Sequence, residues 1–525
     1  MSPVPDVSVI VAVHNSLPHL TECLTSLVEQ SIGRERLQVV AVDAGSTDGS
    51  GAELDRFAAL HPHTFTVLRQ EPGRGPAAPN NRGLECATGR YIFFVCPDDH
   101  LGPQALERLV DAADRWESDV VAARMVGVNG RQVPTKLFES TQRDVDFFAG
   151  TLPWALSGIR FFRRALIERH RLRFPEDMRT GSDQPFTIEA CLQAHRISVL
   201  GDYDYYYAVK RDDRRQATAR VGWDERLRCA QRLVEFDVVR LDPGPRRDAL
   251  LQRHFGTEVA KLLRTDFLDL DVAAQRQIHA VLQKLTTQYL GAALETRLPH
   301  GVRQRLAVVR HGNLEDLRVL LRQLAEPGKP RVVVEGDRWY RPLLGFRDER
   351  FGLPEACYDI SEQAAVWVRR FTAIAMNWRT TDDGELVLSV NARNPWRHLA
   401  AVGPEAVRIT AGDATAVVRM LADEVAGTVA FVDLPVAALI DAAGPEGRKQ
   451  LPVRLHTFVG GEERVGYLKL KGRPSAPRRM IRRGARVYLV TPYTNNKGRL
   501  VIAIAAVTPR RLAARLRRML PAAGR

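Results

Sequence analysis

The sequence predicts an N-terminal α/β domain with a mostly parallel sheet, then a helical segment, then a β-rich C-terminal part. Short apolar runs alternate with amphipathic helical patterns in the first part of the chain. The middle is rich in Leu, Arg, Gln and Ala, and short strand-like runs divided by Gly, Pro, Asn and Asp follow it. A chain of 525 residues is too long for one core, so we expect these parts to be separate domains.

The first elements alternate between strand and helix. Apolar runs of strand length occupy residues 7–13, 37–42 and 91–95, and a weaker run occupies 67–69. Leucines at helical spacing within residues 20–28 join the first two strands. Parallel neighbours need such a crossover, and crossovers of this kind are right-handed. The pattern therefore predicts a parallel sheet whose strands end at a common edge.

Two adjacent carboxylates, Asp98 and Asp99, follow the apolar run Tyr91–Val95. They should lie at the carboxyl end of the strand, where open α/β sheets bind ligands. Adjacent carboxylates repel each other unless a cation, a donor group or water satisfies them. We expect a hard divalent cation that shares its coordination with substrate phosphates. The alternative is an ordinary turn and helix cap.

Other polar residues should reach the same edge. Asp43 follows the second strand and opens an acidic, glycine-rich loop. Residues 72–83 are predicted to form a loop of Gly, Pro, Asn and Arg, and loops of this length usually carry function. We therefore expect Asp43, Asn81 and Asp98 to lie together at the carboxyl edge of one sheet.

Four segments make the sequence recognisable: VSVIVAVHN, VVAVDAGSTDGS, NNRGLECATGRYIFFVCPDD and FPEDMRTGSDQPF. In order and spacing they resemble the landmarks of family 2 glycosyltransferases with the GT-A fold, over about residues 5–215. The resemblance implies a nucleotide-sugar donor, a divalent metal (Mn²⁺ or Mg²⁺), contact of Asp43 with the nucleobase, and Asp98 and Asp99 as metal ligands. The nucleotide-sugar-binding residues that it implies are Val13, Asn15, Asp43, Asn81, Arg82, Asp98, Lys210 and Arg211.

Three positions depart from the family pattern. Ala44, Cys96 and Ser182 each stand where the family usually has a carboxylate, and each leaves a neighbouring Asp in place. Because of these losses, the alternative remains that the protein binds a sugar nucleotide or a polymer without catalysing a reaction.

Asp183 begins or immediately precedes a predicted helix, so it could be an N-cap. The resemblance instead implies that Asp183 is the general base. A base must lie within hydrogen-bond reach of the acceptor hydroxyl, and the free end of a helix meets that requirement. The implied reaction is a single displacement that inverts the anomeric carbon, without a second carboxylate as nucleophile.

The segment 203–218 mixes Lys and Arg with aromatic and hydroxyl side chains, which suits binding of a diphosphate or of a phosphate-bearing acceptor. Lys210 and Arg211 follow its aromatic strand and are the better candidates. Arg214 and Arg215 are as readily explained as a solvated basic loop.

The predicted domains are a catalytic domain at 1–220, a helical linker domain at 221–328, one or two β-sandwiches at 329–508 and a basic amphipathic tail at 509–525. Glycosyltransferases that decorate wall teichoic acid have a similar layout. That resemblance implies self-association through the β-rich part, with a trimer favoured. The tail suits either an anionic membrane face or an ordinary solvated helix.

Composition indicates which partners, cysteine sites and cellular location to expect. The net charge of +14 suits a polyanionic partner, but no zinc-finger or RNP-type motif supports nucleic acid. The six cysteines lack C-x-x-C spacing, so neither a zinc site nor a disulfide framework is expected. No apolar run is long enough to span a bilayer and no signal peptide is visible, so we expect a cytoplasmic protein, with the tail as a candidate membrane contact.

The sequence favours an inverting hexosyl- or N-acetylhexosaminyltransferase that moves a sugar from a UDP-linked donor to a hydroxyl of a teichoic-acid-like cell-wall or surface polymer. The anionic acceptor follows from the layout and from the basic charge. One alternative is transfer to a lipid-linked saccharide. The other is the silent binding protein.

Overall fold

The computed structural model describes residues 4–73, 75–211, 221–327, 330–423, 427–444, 448–459 and 462–508. The chain divides into two compact units, Met1–Leu314 and Glu315–Arg525. Most of the helical segment therefore shares a unit with the α/β domain. The last helix of that segment, Leu314–Ala325, lies almost wholly in the second unit, and the domain boundary at 328 stays a prediction. Among the described residues, no helix is long and apolar enough to cross a membrane.

The first unit is built on a seven-stranded mixed sheet and a smaller three-stranded sheet. Its strands are β1 (Val7–Val13), β2 (Leu37–Asp43), β3 (Phe65–Arg69), β4 (Tyr91–Val95), β5 (His100–Leu101), β6 (Val120–Ala123), β7 (Met125–Val128), β8 (Phe161–Arg163), β9 (Ile197–Leu200) and β10 (Tyr206–Val209). The large sheet has the order β3-β2-β1-β4-β8-β6-β9, and the small one β5-β10-β7. All large-sheet pairs are parallel except those that β8 makes, which confirms the predicted α/β fold.

Strand register sets the position of the site. Val13 pairs with Asp43, and Asp43 pairs with Arg69, so the ends of β1, β2 and β3 form one row. Every residue of β4 is buried, and the chain leaves the sheet after Val95 toward Asp98. Asp43 and Asp98 therefore lie at the carboxyl edge of the sheet, next to its buried apolar core, as the sequence predicted.

The helices of the α/β part are α1 (His19–Val28), α2 (Ser50–Leu60), α3 (Ala77–Cys86), α4 (Ala105–Trp116), α5 (Arg164–Arg169) and α6 (Asp183–Gln193). The loop predicted at 72–83 is wrong from Ala77 onward, where α3 begins. Pro76 and Pro79 favoured a loop, but both lie at the start of α3, where proline needs no intrahelical partner. The stretch 120–128 forms two strands in different sheets, β6 and β7, separated at Arg124.

The helical segment packs as a bundle in the first unit. Its helices are α7 (Trp223–Arg240), α8 (Pro245–His254), α9 (Ala260–Leu262), α10 (Val272–Tyr289), α11 (Ala292–Thr296) and α12 (His300–His311). A π-helical turn, Phe255–Val259, joins α8 to α9. Such turns insert one extra residue per turn and are frequent at functional sites.

The second unit contains α13 (Leu314–Ala325), α14 (Ser361–Val368), α15 (Leu399–Val402) and α16 (Val436–Ala443). Its strands are β11 (Val333–Glu335), β12 (Arg338–Tyr340), β13 (Thr372–Thr380), β14 (Leu386–Asn394), β15 (Val407–Ala411), β16 (Ala414–Thr415), β17 (Val417–Asp423), β18 (Gly427–Pro435), β19 (Arg448–Val459), β20 (Glu462–Tyr467), β21 (Lys469–Leu470), β22 (Arg479–Arg483), β23 (Arg486–Thr494) and β24 (Leu500–Ala506). The sheets β17-β18-β14-β13-β21 and β16-β15-β19-β24-β23-β22 share one apolar core, which confirms the strand-rich C-terminal part and forms one sandwich. The predicted tail, 509–525, lies outside the described residues.

Candidate active site

Asp43 is the buried carboxylate at the end of β2. Its Oδ1 accepts a hydrogen bond from the Ser46 backbone N–H at 2.9 Å, and its Oδ2 accepts one from Arg69 Nη1 at 3.1 Å. Arg69 also donates to both Asp55 oxygens at 2.7 Å. This arrangement fixes the Asp43 carboxylate at the sheet edge. Sequence reasoning missed Arg69, although its place at the end of the neighbouring strand was a usable signal.

Asn15 joins the loops after β1 and β2. Its backbone N–H donates to Ser46 Oγ at 3.0 Å, and its Oδ1 accepts from the Thr47 N–H at 2.7 Å. Its φ of 51° is left-handed, a conformation that Asn tolerates better than most residues. Val13, the last residue of β1, is buried and pairs with Asp43 of β2. Both residues thus lie at the predicted edge, and their contact with a nucleotide stays a prediction.

Asp99 points into the fold. Its Oδ2 accepts from the Tyr206 hydroxyl at 2.6 Å and its Oδ1 accepts from the Val209 N–H at 2.8 Å. Burial raises the pKa of this carboxyl above its ordinary value, against the two donors. Each oxygen of Asp99 thus already accepts one hydrogen bond, and its role as a metal ligand stays a prediction. Asp99 anchors β10 beneath the site.

Asp98 is the carboxylate that faces the open edge. Its Oδ1 accepts from Arg211 Nη1 at 2.7 Å, and the Asp98 side chain remains 24% exposed while that of Arg211 is 4% exposed. The neighbouring Lys210 is exposed. The structure therefore brings Asp98 and Arg211 together, with Lys210 next to Arg211 in the chain, and their binding of a nucleotide sugar stays a prediction. Arg214 and Arg215 lie outside the described residues.

A divalent cation is the cofactor implied for this type of site. Among the described residues, no group of three or more His, Cys, Asp or Glu side chains converges as a metal site. Mg²⁺-like ions in phosphate-transfer sites commonly use only one or two carboxylates, with substrate phosphates and waters as the other ligands. Asp98 fits that requirement, with Cys96 in place of a further carboxylate.

The side chains of Asn81 and Arg82 both contact other residues of the chain. Asn81 is buried in α3, where its Oδ1 accepts from the Phe174 N–H and its Nδ2 donates to the Phe174 carbonyl and to Glu176 Oε1, each at 2.9 Å. Its amide atoms are thus used to hold the segment that precedes α6. Arg82 is exposed and pairs with Glu85 at 2.6 Å. The nucleotide-binding roles of Asn81 and Arg82 stay predictions.

Asp183 is the first residue of α6, as the sequence predicted. No side-chain cap bond closes this helix start; Asp183 Oδ2 instead accepts from the Gly158 N–H at 3.3 Å. A Cβ on Gly158 would lie 3.2 Å from Asp183 Cβ, so glycine permits this close approach. Burial raises the pKa of Asp183, although the Gly158 N–H acts in the opposite direction. A half-buried carboxylate with a raised pKa suits a general base.

A buried charge cluster of the helical bundle lies against the residue that follows Asp183. Gln184 Nε2 donates to Glu258 Oε1 at 3.4 Å, and Glu258 Oε2 contacts Arg253 and lies 3.4 Å from His254 Nδ1. His254 Nε2 lies 3.3 Å from Asp237 Oδ2, and both residues are fully buried. Sequence reasoning missed this cluster. The i, i+4 spacing of His254 and Glu258 was the only local signal.

Two segments of the chain match known protein families. Residues 8–173 match the family described as glycosyl transferase family 2, and residues 227–321 match the glycosyl transferase TarS linker domain. The chain is 36% identical over 215 residues to a poly(ribitol-phosphate) beta-glucosyltransferase of Bacillus spizizenii, across 41% of this chain and 34% of that protein. It is 33% identical over 275 residues to the poly(ribitol-phosphate) beta-N-acetylglucosaminyltransferase TarS of Staphylococcus aureus, across 51% of this chain and 47% of that protein.

The matched regions thus span about a third to a half of the length of these relatives. A crystal structure of S. aureus TarS residues 1–349 in complex with UDP-GlcNAc aligns with a TM-score of 0.56 and 27% identity, across 64% of this chain and 97% of that one. A second TarS crystal structure aligns across 96% of this chain and 86% of that one, with a TM-score of 0.58 and 21% identity, which shows the fold alone. The predicted GT-A fold of the N-terminal domain, the helical linker and the strand-rich C-terminal part are confirmed.

Proposed function

We propose that this chain, whose residues 8–173 form a family 2 glycosyltransferase domain, transfers a sugar from a UDP-linked donor to a hydroxyl of an anionic polyol-phosphate polymer. The observation that carries the proposal is the pairing of that domain with the TarS-type linker at 227–321. Relatives that are named as poly(ribitol-phosphate) glycosyltransferases support the acceptor class. The net charge of +14 suits such a polyanion.

The donor would lie along the carboxyl edge of the sheet. Asp43, fixed by Arg69, marks the nucleobase end, and Asp98 with Arg211 marks the diphosphate end. A divalent cation, Mn²⁺ or Mg²⁺, held at Asp98 would neutralise charge on the leaving nucleoside diphosphate. Arg211 and Lys210 add positive charge at the same end, and a guanidinium can bind phosphate oxygens through two parallel hydrogen bonds.

Asp183 would act on the acceptor. The proton of the acceptor hydroxyl passes to its carboxylate as the acceptor oxygen forms a bond to the anomeric carbon and the bond to the nucleoside diphosphate breaks. The Gly158 N–H orients one carboxylate oxygen and leaves the other for the proton. Burial raises the pKa of Asp183, which strengthens its ionised form as a base. A single displacement of this kind inverts the sugar configuration.

A silent binding protein is the second candidate. Ala44, Cys96 and Ser182 replace family carboxylates, and Asp99 is turned into the fold. The two candidates differ in turnover but share the donor site. Transfer assays therefore separate them, and nucleotide binding tests the part that they have in common.

Asp98→Asn tests the donor site. In the parent chain, UDP with Mn²⁺ should raise the unfolding temperature, because a ligand that binds only the folded state stabilises it by about 2.7 kcal/mol at a hundredfold excess over Kd. The Mn²⁺-dependent part of this rise should disappear in Asp98→Asn. Thermal unfolding with UDP, GDP, CDP and dTDP, each with and without Mn²⁺, measures this effect and identifies the donor base.

The control for this experiment is Asp242→Asn, which removes an exposed carboxylate between α7 and α8 of the helical bundle. The ligand-induced shift is the readout rather than the absolute unfolding temperature, since Asp98→Asn also removes a partner of the buried Arg211. An unchanged Mn²⁺-dependent shift in Asp98→Asn would remove Asp98 from the metal site.

Association of subunits belongs to the same proposal. Exposed apolar side chains lie on β17 (Val417 and Leu421) and on β20 (Val465 and Tyr467), and β17 is an edge strand of its sheet. Edge strands with exposed apolar side chains favour pairing with another chain. We expect residues 329–508 to drive self-association into a trimer, the number favoured by resemblance.

Val417→Glu combined with Leu421→Glu should lower the subunit count in light scattering, because two charges replace apolar contacts in the proposed interface. Val239→Glu, at a position that is 88% exposed in the helical bundle, is the matched control. An identical subunit count in the double variant and the parent would show that β17 is not part of an interface.

A further inference from the structure

The excess positive charge of the chain is concentrated in residues 464–525. This segment contains 17 of the 76 Lys and Arg residues and none of the 62 Asp and Glu residues. The rest of the chain is left with 59 basic and 62 acidic residues, a net charge of −3. The net charge of +14 therefore originates entirely in this segment. Such an uneven distribution of charge indicates a surface for an anionic partner.

The folded part of this segment places five arginines at one edge of a sheet. β22 is the edge strand of the sheet β16-β15-β19-β24-β23-β22, and it forms a hairpin with β23. Arg483 and Arg486 pair directly across this hairpin, and like charges in such a pair repel each other. An ion pair of Arg483 with Asp441 at 2.5 Å offsets part of that repulsion. We call the exposed arginines of this hairpin the basic edge: Arg478, Arg479, Arg482, Arg483 and Arg486.

Contacts with β13 hold the basic edge in place. Ser475 Oγ donates to the Met376 carbonyl and accepts from the Met376 N–H, each at 2.7 Å. The indole N–H of Trp378 donates to the Pro477 carbonyl at 2.7 Å. The Arg479 guanidinium lies 6.0 Å from the centroid of the Trp378 ring. The chain is thus fixed immediately before β22, so an ordered strand presents these arginines.

Apolar side chains lie among these charges. Met480 is 68% exposed and lies on the same face of β22 as Arg482, because alternate residues of a strand share a face. Trp378, beside Arg479, is half-buried. A hydrated polyol phosphate offers no hydrocarbon layer that would remove Met480 from water, whereas a membrane interface does. Tryptophan is also enriched at that interface. The mixture of basic and apolar side chains therefore favours a lipid surface.

The end of β24 brings the chain back to the basic edge. β24 runs antiparallel to β23, and the Val507 N–H donates to the Val487 carbonyl at 2.8 Å, one residue from Arg486. Residues 509–525 lie outside the described residues. Their sequence adds six arginines and three leucines four residues apart, Leu512, Leu516 and Leu520. The same combination of arginine and apolar residues thus continues in the sequence from this point, as is typical of segments that bind anionic membranes.

We infer that the basic edge is a docking surface for a membrane of anionic phospholipid. Arg478, Arg479 and Arg482 bind lipid phosphates, for which the guanidinium group is well suited because it can form two parallel hydrogen bonds. Met480 enters the boundary between the head groups and the acyl chains. The basic edge belongs to the second compact unit, and the donor-site residues belong to the first. This inference therefore does not depend on the transfer reaction.

Sedimentation of the full-length chain with vesicles tests the docking surface without any turnover. The parent should bind vesicles of phosphatidylcholine mixed with phosphatidylglycerol, and should bind vesicles of phosphatidylcholine alone much more weakly. Arg478→Gln/Arg479→Gln/Arg482→Gln should weaken binding to the mixed vesicles about a hundredfold, since each arginine near an anionic surface accounts for about fivefold. The control, Arg331→Gln/Arg370→Gln/Arg393→Gln, removes the same charge from exposed positions outside residues 464–525 and should bind nearly as the parent does.

Met480→Ser distinguishes a lipid surface from a soluble polyanion. It keeps every charge, but it should weaken binding to the mixed vesicles about tenfold because an apolar side chain no longer leaves water. Binding of soluble poly(ribitol phosphate) should not change in this variant. The substituted side chains are all exposed, so equal unfolding temperatures of the four proteins will show that the fold is intact.

Three results would overturn the inference: a parent that does not bind the mixed vesicles, equal binding of the parent to both kinds of vesicle, and an equal loss in the two triple variants. The last result would indicate only general charge attraction. Undiminished vesicle binding by Met480→Ser, together with loss of poly(ribitol phosphate) binding in the triple variant of the basic edge, would also overturn it. The basic edge would then be a polymer site.

Discussion

Replacing Asp183 with Asn is expected to lower sugar transfer by about 10²–10⁴-fold, the usual contribution of a positioned general base. Asn keeps the size of Asp and can still accept the Gly158 N–H bond, but it cannot take a proton. UDP binding should change little, because Asp183 lies outside the donor-site residues Asp43, Asp98 and Arg211. Initial rates of transfer and nucleotide-induced thermal shifts, measured on the same preparations, give both quantities.

The raised pKa of Asp183 supplies two further checks. The base works in its ionised form, so kcat/KM of the parent should fall as the pH drops through a pKa that is higher than that of an ordinary Asp. A folded pKa above the unfolded value means that ionisation of Asp183 opposes folding near neutral pH. Asp183→Asn should therefore be no less stable than the parent at that pH. Parent-like transfer rates in the variant would exclude Asp183 as the base.

Replacing His254 with Gln is expected to destabilise the first compact unit by about 3 kcal/mol at mildly acidic pH. Burial alone would lower the pKa of His254, but Asp237 and Glu258 raise it to about 9. Two carboxylates and the Arg253 guanidinium surround this ring, so a charged His254 balances the cluster. A rise from about 6.5 to about 9 corresponds to roughly 3 kcal/mol in favour of the charged folded form.

The pH dependence follows from the sign of that shift. Because the folded pKa is the higher one, the stabilisation is fully present below about pH 6.5 and is lost as the pH rises through about 9. Urea unfolding of the parent and of His254→Gln across this range should therefore show a gap that closes at the alkaline end. His300→Gln, at an exposed histidine that begins α12, should track the parent throughout. A gap that is constant with pH would show that His254 is neutral in the fold.

The strongest local patterns predicted the structure closely. The strand at Tyr91–Val95 has the predicted bounds, and α6 starts at Asp183 as expected. In both cases neighbouring residues set the boundary: the apolar run stops shortly before Pro97, and the helical pattern begins at Asp183. The C-terminal strands were found for the same reason. Their turns carry Gly, Pro, Asn and Asp, and strands such as β19 and β23 alternate between buried and more exposed positions.

The sequence did not predict side-chain positions that depend on contacts between residues far apart in the chain. Adjacent carboxylates look alike in sequence, but Asp99 is drawn inward by Tyr206, 107 residues away, while Asp98 remains at the open edge. The Asn81 side chain likewise donates a hydrogen bond to the carbonyl of Phe174, 93 residues away. No local pattern contains these pairings. The His254 cluster was missed because its partners come from three separate helical elements.

The most direct test of the account is transfer of a labelled sugar from UDP-glucose or UDP-N-acetylglucosamine to poly(ribitol phosphate) by the full-length chain with Mn²⁺. The account predicts that one of these donors labels the polymer, that the label is inverted at the anomeric carbon, and that Asp183→Asn abolishes the labelling. Failure of both donors to label the polymer, in a folded sample that binds UDP, would contradict a polyol-phosphate transferase and favour the silent binding protein.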